Sequence, residues 1–258
     1  MPCHAVARHG APLSHPLVND RRAATAPFAA GWHTVVMDHE NKHDKMHAEE
    51  HDAHDALDEI ARRTLAHYER NADAFFAGTI DHDVSQNIAA LLDAIEAPRP
   101  YTILDLGCGP GRDLKTFGAL GHRAIGVDGS ERFVAMARAY SGCEVWRQDF
   151  LHLDLPQGLF DGIFANAVLF HVPSAALPQV LAHLHAALKP GGVLFSSNPR
   201  GDNQEGWNGP RYGSYHDYPT WERYLRAAGF TALHHYYRPP GLPRDQQPWL
   251  ASVWRKPG

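Results

Sequence analysis

A glycine-rich turn between an apolar segment and a helical one limits the folds that this chain can adopt. Residues 103–106 are apolar apart from one acid, and they run into Gly107, Gly109 and Gly111. Glycine lets the backbone turn sharply and lets a ligand approach the main chain closely. The helix that follows presents its N-terminus to that ligand. The pattern therefore predicts a buried strand, a nucleotide-binding turn and a helix, in that order.

The alternation of short apolar runs and helical stretches continues beyond this turn. The predicted strands are residues 102–106, 123–127, 144–147, 162–165 and 192–196, with helices near 112–120, 130–140 and 174–188. A further helix is expected at 219–228, followed by strands at 230–237 and 249–255. Strands that alternate with helices indicate βαβ units, and hence an α/β fold with a mainly parallel sheet.

The first 57 residues differ in composition from the rest of the chain. Residues 1–36 lack both sustained periodicity and the apolar run of a signal peptide, although a transit peptide stays open, as does a start at Met37 instead of Met1. Residues 37–57 are polar and charged. We therefore predict a disordered or weakly ordered, histidine-rich extension over residues 1–57, and one folded domain over residues 58–258.

A histidine series runs through the extension. The histidines at positions 39, 43, 47 and 51 recur every four residues, and His54 follows. On a helix this spacing places the imidazoles along one face, as two ligands of one metal ion require. A solvated leader rich in His, Asp and Glu is the alternative interpretation. No metal ligand is assigned from the sequence.

Charge and cysteine content exclude several function classes. The chain has 24 Lys and Arg against 29 Asp and Glu, a net charge of −5, which argues against a broad nucleic-acid interface. The three cysteines, Cys3, Cys108 and Cys143, are widely spaced and form no CxxC pair. This usage fits a reducing compartment, and we predict a cytoplasmic protein. Because no apolar run approaches the roughly 18 residues of a membrane span, no membrane insertion is expected.

Polar residues stand where the later strands are expected to end. Asp128 ends the second strand, where a carboxylate can accept hydrogen bonds from two ribose hydroxyls. Asp149 and Phe150 follow the third strand and suit the edge and the face of an adenine ring. Asn166 ends the fourth strand, at the edge where open α/β sheets bind ligands. Residues 189–192, Lys-Pro-Gly-Gly, form a turn before the fifth strand.

In this order the motifs resemble the class I S-adenosylmethionine-dependent methyltransferases, over about residues 59–258. The resemblance implies a Rossmann-like, doubly wound fold whose seven-stranded, mainly parallel sheet ends in a C-terminal antiparallel hairpin. It implies S-adenosylmethionine as cofactor, with Asp128 at the ribose, Asp149 and Phe150 at the adenine, and Asn166 beside the sulfonium. The remaining cofactor-binding residues that it implies are Asp105, Gly107, Gly109 and Gly111 around the methionine part, and Tyr68 in a lid helix.

His171 is the candidate catalytic residue. It lies just past the fourth strand and should face the ligand-binding edge of the sheet. It could act as a general base or anchor the acceptor. A structural histidine in a strand-to-helix turn is the alternative.

Residues 197–218 are expected to form a long polar loop that contacts the acceptor, since a loop of this length in a compact domain is usually functional. Its candidate substrate-binding residues are Arg200, Arg211, Tyr212 and Tyr215, because arginines with aromatic neighbours suit the recognition of a carboxylate. Residues 234–238 are expected to add a second wall.

We therefore predict an enzyme that transfers a methyl group from S-adenosylmethionine to a small polar metabolite. Residues 166–169, Asn-Ala-Val-Leu, lack the Pro-Pro-aromatic motif of amino-methylating nucleic-acid enzymes. Two alternatives stay open at this point: a nicotinamide-dependent Rossmann oxidoreductase, and a non-catalytic protein that binds a cofactor or a metal. The sequence does not indicate the oligomeric state.

Overall fold

The computed structural model describes the backbone of residues 32–258 and the side chains of residues 51–258. The predictions for residues 1–31 lie outside the described residues, and so do the side chains of the first three histidines of the series. By its contacts the chain divides into two units, Met1–Ala48 and Glu49–Gly258. The described part of the first unit is helical.

The first helix, α1, extends over Trp32–Arg70. Residues 33–70 contain neither proline nor glycine and are rich in Ala, Glu and Asp, so nothing in them ends a helix. The helix passes through residues 57 and 58, where the sequence predicts the boundary between extension and domain. That boundary stays a prediction, and the structure shows continuous helical backbone across it.

Six shorter helices follow in the described residues: α2 Ala72–Thr79, α3 Ser85–Leu92, α4 Arg112–Ala119, α5 Glu131–Ser141, α6 Leu177–Ala187 and α7 Tyr218–Ala227. Local sequence sets several of their ends. The Ser130 side chain accepts a hydrogen bond from the Phe133 amide and begins α5, and the left-handed Gly142 ends it. Asp217 caps α7 in the same way through the Thr220 amide. None of the helices in the described residues has the length and apolar content to cross a bilayer.

The nine strands of the described residues are β1 Thr102–Leu106, β2 Arg123–Asp128, β3 Glu144–Arg147, β4 Phe160–Asn166, β5 Leu188–Pro199, β6 Gln204–Asn208, β7 Arg211–Tyr215, β8 Thr231–Arg238 and β9 Trp249–Arg255. Seven of them form one sheet in the order β3-β2-β1-β4-β5-β9-β8. The first five are parallel, whereas β9 pairs antiparallel with both β5 and β8. The predicted fold class is confirmed.

The strand order places the ligand-binding edge. From β1 the chain builds outward through β2 and β3, and it then returns to the other side of β1 with β4. Open α/β sheets bind ligands in the crevice outside the carboxyl ends of the two strands at such a reversal. The glycine turn after β1 and the polar end of β4 both lie at this crevice.

The sheet is buried on both faces, as a parallel sheet between helical layers must be. On one face Leu104 and Val127 pack with residues of α6, and on the other Ile103 and Phe164 pack with residues of α3 and α4. Successive residues of β1 therefore enter opposite layers of the core. This explains why the sequence shows continuous apolar runs instead of alternation.

The prediction of a loop over residues 197–218 is wrong for most of that segment. The strand β5 extends to Pro199, and β6 and β7 then pair as an antiparallel hairpin. Asn208 pairs with Arg211 across the two-residue turn Gly209-Pro210, and Gly209 has a left-handed φ of 59°. Glycine at the first central position is the signature of a type II′ hairpin turn. This local signal was present in the sequence.

Candidate functional site

A cavity of about 550 Å³ lies at the carboxyl edge of the sheet, over the crevice between β1 and β4. The glycine turn, the end of β2, the turn after β3 and the end of β4 contribute to its walls. On the opposite side α1 and α2 contribute Tyr68 and Phe75, which lie edge to face with ring centroids 5.6 Å apart. The strand ends whose order the sequence predicts thus line one cavity.

The glycine turn needs glycine for two different reasons. Gly107, Gly109 and Gly111 all have left-handed φ values, of 67°, 51° and 93°. A Cβ on Gly107 would overlap the Val168 side chain and lie 3.3 Å from Phe150, and a Cβ on Gly111 would lie 2.8 Å from the Ala137 Cα. The first glycine therefore permits close packing at the cavity wall, and the third permits close packing of α4 against α5.

Asp128 is buried at the end of β2 and lines the cavity. One carboxylate oxygen accepts a hydrogen bond from the Gly109 amide at 2.9 Å, and the other accepts one from the Ser130 amide at 2.9 Å. Burial raises the pKa of Asp128 to about 6, against the effect of these two hydrogen bonds. The carboxylate thereby joins the glycine turn to the loop after β2.

Glu69, on α1, is a site residue that the sequence analysis missed. Its carboxylate accepts a hydrogen bond from the Ser130 hydroxyl at 2.6 Å, next to Asp128. This contact joins α1 to the loop after β2 and so fixes one wall of the cavity. Residues 69 and 130 are too far apart in sequence for any local pattern to have indicated the contact.

The Asp149 and Phe150 pair lies on the cavity wall, as its placement after β3 predicts. One Asp149 carboxylate oxygen accepts a hydrogen bond from the Leu151 amide at 2.9 Å and begins a short 3₁₀ turn over Phe150–His152. This turn directs the Phe150 ring toward Gly107. The acid and the ring therefore share one rigid turn.

Asn166 also lines the cavity, and its position is fixed by a buried chain of hydrogen bonds. The Asn87 amide donates to the Asn166 side-chain oxygen at 2.9 Å, and the Tyr236 hydroxyl donates to Asn87 at 2.9 Å. Asn87 is fully buried on the apolar face of α3. A polar residue in the middle of an apolar helical face was the available signal for this partner.

Asp105 does not line the cavity. It is buried beneath the glycine turn, and one of its carboxyl oxygens has no hydrogen-bond partner among the described residues. Burial, reinforced by the charge of nearby Asp113, raises the pKa of Asp105 well above its ordinary value.

His171 lies at the cavity wall in a network that fixes its tautomer. Its Nδ1 is 2.7 Å from the Tyr212 carbonyl oxygen, which can only accept, so Nδ1 carries the hydrogen. Nε2 then accepts from the Tyr68 hydroxyl at 2.8 Å, and the Arg211 guanidinium donates to that hydroxyl at 3.3 Å. Burial lowers the pKa of His171 to about 4. The imidazole is neutral at physiological pH and links α1 to the β6–β7 hairpin.

The predicted substrate-binding residues do not line the cavity. Arg211 reaches it only through Tyr68, and the Tyr212 hydroxyl donates to Glu205 at 2.8 Å. The Tyr215 ring lies 6.1 Å from that of Phe170. Arg200 donates to the carbonyl oxygens of residues 244 and 247, in the loop before β9. Arg211 on the hairpin therefore faces α1, and Arg200, just after β5, faces the loop before β9.

Two other arginines do line the cavity, Arg112 and Arg238. Arg112 is held by both carboxylate oxygens of Asp113, at 2.7 and 2.9 Å. Arg238 donates from Nη2 to the Asp83 carbonyl oxygen at 3.1 Å, and its buried Nε has no partner among the described residues. Arg238 ends β8, which runs parallel to β5 because both pair antiparallel with β9. Of the predicted second wall, residues 234–238, Arg238 therefore lies at the cavity.

A family model described as "Methyltransferase domain" matches residues 103–192, from β1 into β5. Over 114 residues the chain is 39% identical to a trans-aconitate 2-methyltransferase of Azoarcus sp., covering 43% of this chain and 44% of that protein. Over 127 residues it is 32% identical to a 24-methylenesterol C-methyltransferase 2 of Oryza sativa, covering 44% and 34%. The chain thus spans less than half the length of these curated relatives.

Solved structures share the fold over more of the chain. A 1,6-didemethyltoxoflavin-N1-methyltransferase of Burkholderia thailandensis, solved with 1,6-didemethyltoxoflavin and S-adenosylhomocysteine, has 25% identity and a TM-score of 0.54. The superposition covers 91% of this chain and 94% of that one. An S-adenosylmethionine-dependent methyltransferase of Mesorhizobium loti has 22% identity and a TM-score of 0.57, over 68% of this chain and 99% of that one.

Proposed function

Since the chain belongs to the class I S-adenosylmethionine-dependent methyltransferase family, we propose that it methylates a small polar metabolite. Family membership was predicted from the sequence and is confirmed. Membership of this family also decides against the nicotinamide-dependent oxidoreductase, an alternative that rested on the glycine turn alone. The acceptor and the atom methylated are the open parts of the proposal.

S-adenosylmethionine was the predicted cofactor, and the comparisons confirm it. The residues present fit this group. A turn with glycine at its closest approach would hold the methionine part, and Asp128 has its carboxylate fixed at the cavity wall for the ribose. Asp149 and Phe150 offer an acceptor and a ring for the adenine. A cavity of about 550 Å³ is within the range for one cofactor with a small partner.

When bound, the cofactor supplies a methyl group already activated on a sulfonium, so the protein has mainly to position the acceptor. Walls from α1 and α2, opposite the sheet edge, would help to hold two reactants in one orientation, which lowers the entropic part of the barrier. Asn166, fixed by Asn87, is proposed to orient groups near the end of β4. No charged residue needs to change protonation if the attacking atom is already unprotonated.

For His171 we propose a positioning role in the free protein. Its Nε2 lone pair is engaged by the Tyr68 hydroxyl, and its low pKa makes it a weak base. To accept a proton from the acceptor, the imidazole would have to exchange Tyr68 for the acceptor group. In the free protein the network holds Tyr68 in the cavity wall.

The cavity of about 550 Å³ is the observation that carries the small-molecule proposal. Its walls include Phe75, His171 and Trp249, from three separate parts of the chain. The matched relatives are named for small acceptors of different kinds, an aconitate, a sterol and a didemethyltoxoflavin. The test is transfer of labelled methyl from S-adenosylmethionine to members of a library of polar metabolites. Labelling of only protein or nucleic acid in a mixed extract would contradict the proposal.

The acceptor is proposed to carry a carboxylate or a similar anion, recognised by Arg238. This guanidinium lines the cavity and donates only from its Nη2 to a protein acceptor among the described residues, the Asp83 carbonyl oxygen, so it has further N–H donors for an anion. Arg200 and Arg211, which the sequence indicated for this role, are engaged by backbone carbonyls and by Tyr68 instead. The proposed anion site thus moves from the β6–β7 hairpin to the end of β8.

Arg238→Ala should lower kcat/KM for the acceptor about tenfold or more, because one hydrogen bond to a charged group contributes about 1.5–3 kcal/mol. The Kd for S-adenosylmethionine should change less than twofold. Arg200→Ala is the matched control, since it removes the same side chain from a position outside the cavity. Steady-state kinetics with the acceptor found in the screen measure both variants. Equal kcat/KM in Arg238→Ala and in the unchanged protein would refute the anion site.

Affinity for S-adenosylmethionine should rise as the pH is raised through about 6. Burial places the pKa of Asp128 at that value, above its ordinary 3.8, so protonation at lower pH removes an acceptor that the ribose hydroxyls need. A raised pKa in the folded state also means that protonation of this group stabilises the fold as the pH falls. Weaker binding at pH 5.5 would therefore not reflect unfolding caused by Asp128.

Calorimetric titrations between pH 5 and pH 8 measure this dependence. Asp128→Asn has no charge to lose at this position, so its profile should lack the inflection near pH 6. The same inflection in Asp128→Asn would assign it to another group.

The cytoplasmic location stays a prediction that rests on cysteine usage, and both described cysteines, Cys108 and Cys143, are free thiols. The absence of a nucleic-acid or membrane partner is likewise a prediction from charge and composition.

A further inference from the structure

A second cluster of chemically capable side chains lies outside the cavity, where α1 passes the turn after β3. His54 and Asp58 are one helical turn apart on α1, and His152 ends the 3₁₀ turn Phe150–His152. One donor atom from each of the three lies within 4.8 Å of the other two. Two elements separated by almost a hundred residues thus contribute nitrogen and oxygen donors to one point.

The distances are close to those of a coordination site. His54 Nε2 is 4.0 Å from Asp58 Oδ2, and His152 Nε2 is 3.8 Å from Asp58 Oδ1. Ligand atoms around a tetrahedral Zn²⁺, with bonds of about 2.0–2.2 Å, lie about 3.3–3.5 Å apart. Side-chain rotations that move each donor by less than an ångström would complete the geometry. The two imidazole rings stand edge to face, 5.7 Å between centroids, so neither blocks the other.

An unsatisfied atom gives independent support. Asp58 Oδ1 is buried from solvent and has no hydrogen-bond partner among the described residues. A buried carboxylate oxygen without a partner is unfavourable, and a bound cation would compensate it directly. The Asp58 side chain is otherwise 43% exposed, and His54 and His152 are exposed as well, which leaves a path for an ion to enter.

We propose that His54, Asp58 and His152 form a site for a divalent transition-metal ion of the Zn²⁺ class. Zn²⁺, Co²⁺ and Ni²⁺ bind well to two imidazoles and one carboxylate, whereas Mg²⁺ and Ca²⁺ prefer oxygen ligands. Water completes the coordination. The site takes His54 from the end of the histidine series, Asp58 from the next turn of the same helix, and His152 from the turn after β3.

The position of the site couples it to the cavity. On α1, Leu65 and Tyr68 line the cavity two to three turns beyond Asp58, and Asp149 and Phe150 line it just before His152. An ion bound at the cluster cross-links the helix to the turn, and these are two walls of the same cavity. Metal binding and cofactor binding should therefore strengthen each other, by thermodynamic linkage. This second part rests on the proposed function, whereas the metal site does not.

The experiment titrates the full chain with Co²⁺, followed by visible d–d absorption, and with Zn²⁺, followed by calorimetry. In His152→Ala the affinity for one equivalent of metal should fall at least tenfold, so that this equivalent no longer binds tightly. Asp58→Asn should behave similarly. His234→Ala is the matched control, because it removes an exposed histidine on β8 and should retain that equivalent. Metal bound by two histidines of the series alone would not depend on His152, so the His152 variant distinguishes the proposed site from such binding. Unchanged metal stoichiometry and affinity in both His152→Ala and Asp58→Asn would overturn the proposal.

The coupling between metal binding and cofactor binding is measured separately. Saturating Zn²⁺ should lower the Kd for S-adenosylmethionine severalfold in the unchanged protein and leave it unaltered in His152→Ala. Equal Kd values with Zn²⁺ and with a chelator would overturn the coupling, while the titrations above decide on the metal site.

Discussion

Asp128→Ala is expected to weaken S-adenosylmethionine binding by about 1.5–3 kcal/mol, roughly ten- to hundredfold in Kd. The substitution removes the proposed acceptor for the ribose hydroxyls. It also leaves the amides of Gly109 and Ser130 without the oxygens that now accept from them, so the glycine turn loses a fixed position. Titration calorimetry at pH 7.5, above the pKa of about 6, measures the change with the carboxylate ionised.

Asp161→Ala is the matched control for this experiment. Asp161 and Asp128 have the same exposed fraction, 7%, and both accept from the backbone: Asp161 from the Thr102 amide, and Asp128 from the amides of Gly109 and Ser130. Asp161 lies near the start of β4, at the opposite edge of the sheet, and pairs with Lys189 at 2.7 Å. Its loss should lower the free energy of unfolding but leave cofactor affinity intact. If the two variants lost affinity equally, the effect of Asp128 would be general destabilisation and not ribose binding.

Gly107→Ala is expected to lower the free energy of unfolding by about 2–5 kcal/mol and to abolish measurable cofactor binding. About 1–2 kcal/mol comes from a side chain at φ 67°, and about 1–3 kcal/mol from the overlap of its Cβ with Val168 and Phe150. Relief of the overlap would move the turn into the space that the cofactor needs. Urea denaturation and calorimetry measure the two effects.

Gly142→Ala separates the conformational cost of a side chain at positive φ from the cost of steric overlap. Gly142 has nearly the same φ, 70°, but a Cβ there would meet nothing within 4 Å. It should therefore lose only the conformational part, about 1–2 kcal/mol, and bind the cofactor normally. Adding Val168→Ala to Gly107→Ala should restore part of the stability, because one of the overlapping atoms is removed. Equal stability of the two single glycine variants would exclude the overlap as a cause.

The sequence by itself determined the fold and the order of the cofactor-binding motifs. The strand that ends at Leu106, the glycine turn and the helix after it are encoded within residues 102–119, by apolar periodicity and by glycine. Parallel strands carry their polar ends to one edge, so Asp128, Asp149 and Asn166 could be assigned to a common site without knowledge of any distance. Each of these inferences uses only local pattern and chain order.

The β6–β7 hairpin was also encoded locally, by the turn Gly209-Pro210, but length and polarity suggested a loop instead. Residues 204–215 carry few buried side chains and alternate weakly, since the hairpin is separate from the main sheet. Hydrophobic periodicity is the main signal for strands, and a mostly exposed hairpin does not provide it.

Only the tertiary structure decided which side chains face the cavity and which partners they have. Arg200, Arg211 and Arg238 have the same chemistry in the sequence, yet only Arg238 lines the cavity. The order β5-β9-β8 brings it there, and strand order follows from long-range pairing. The hydrogen bond of His171 to Tyr68 and the approach of His152 to Asp58 join residues about a hundred positions apart. Such contacts depend on the packing of whole elements against one another, which no local pattern of residues specifies.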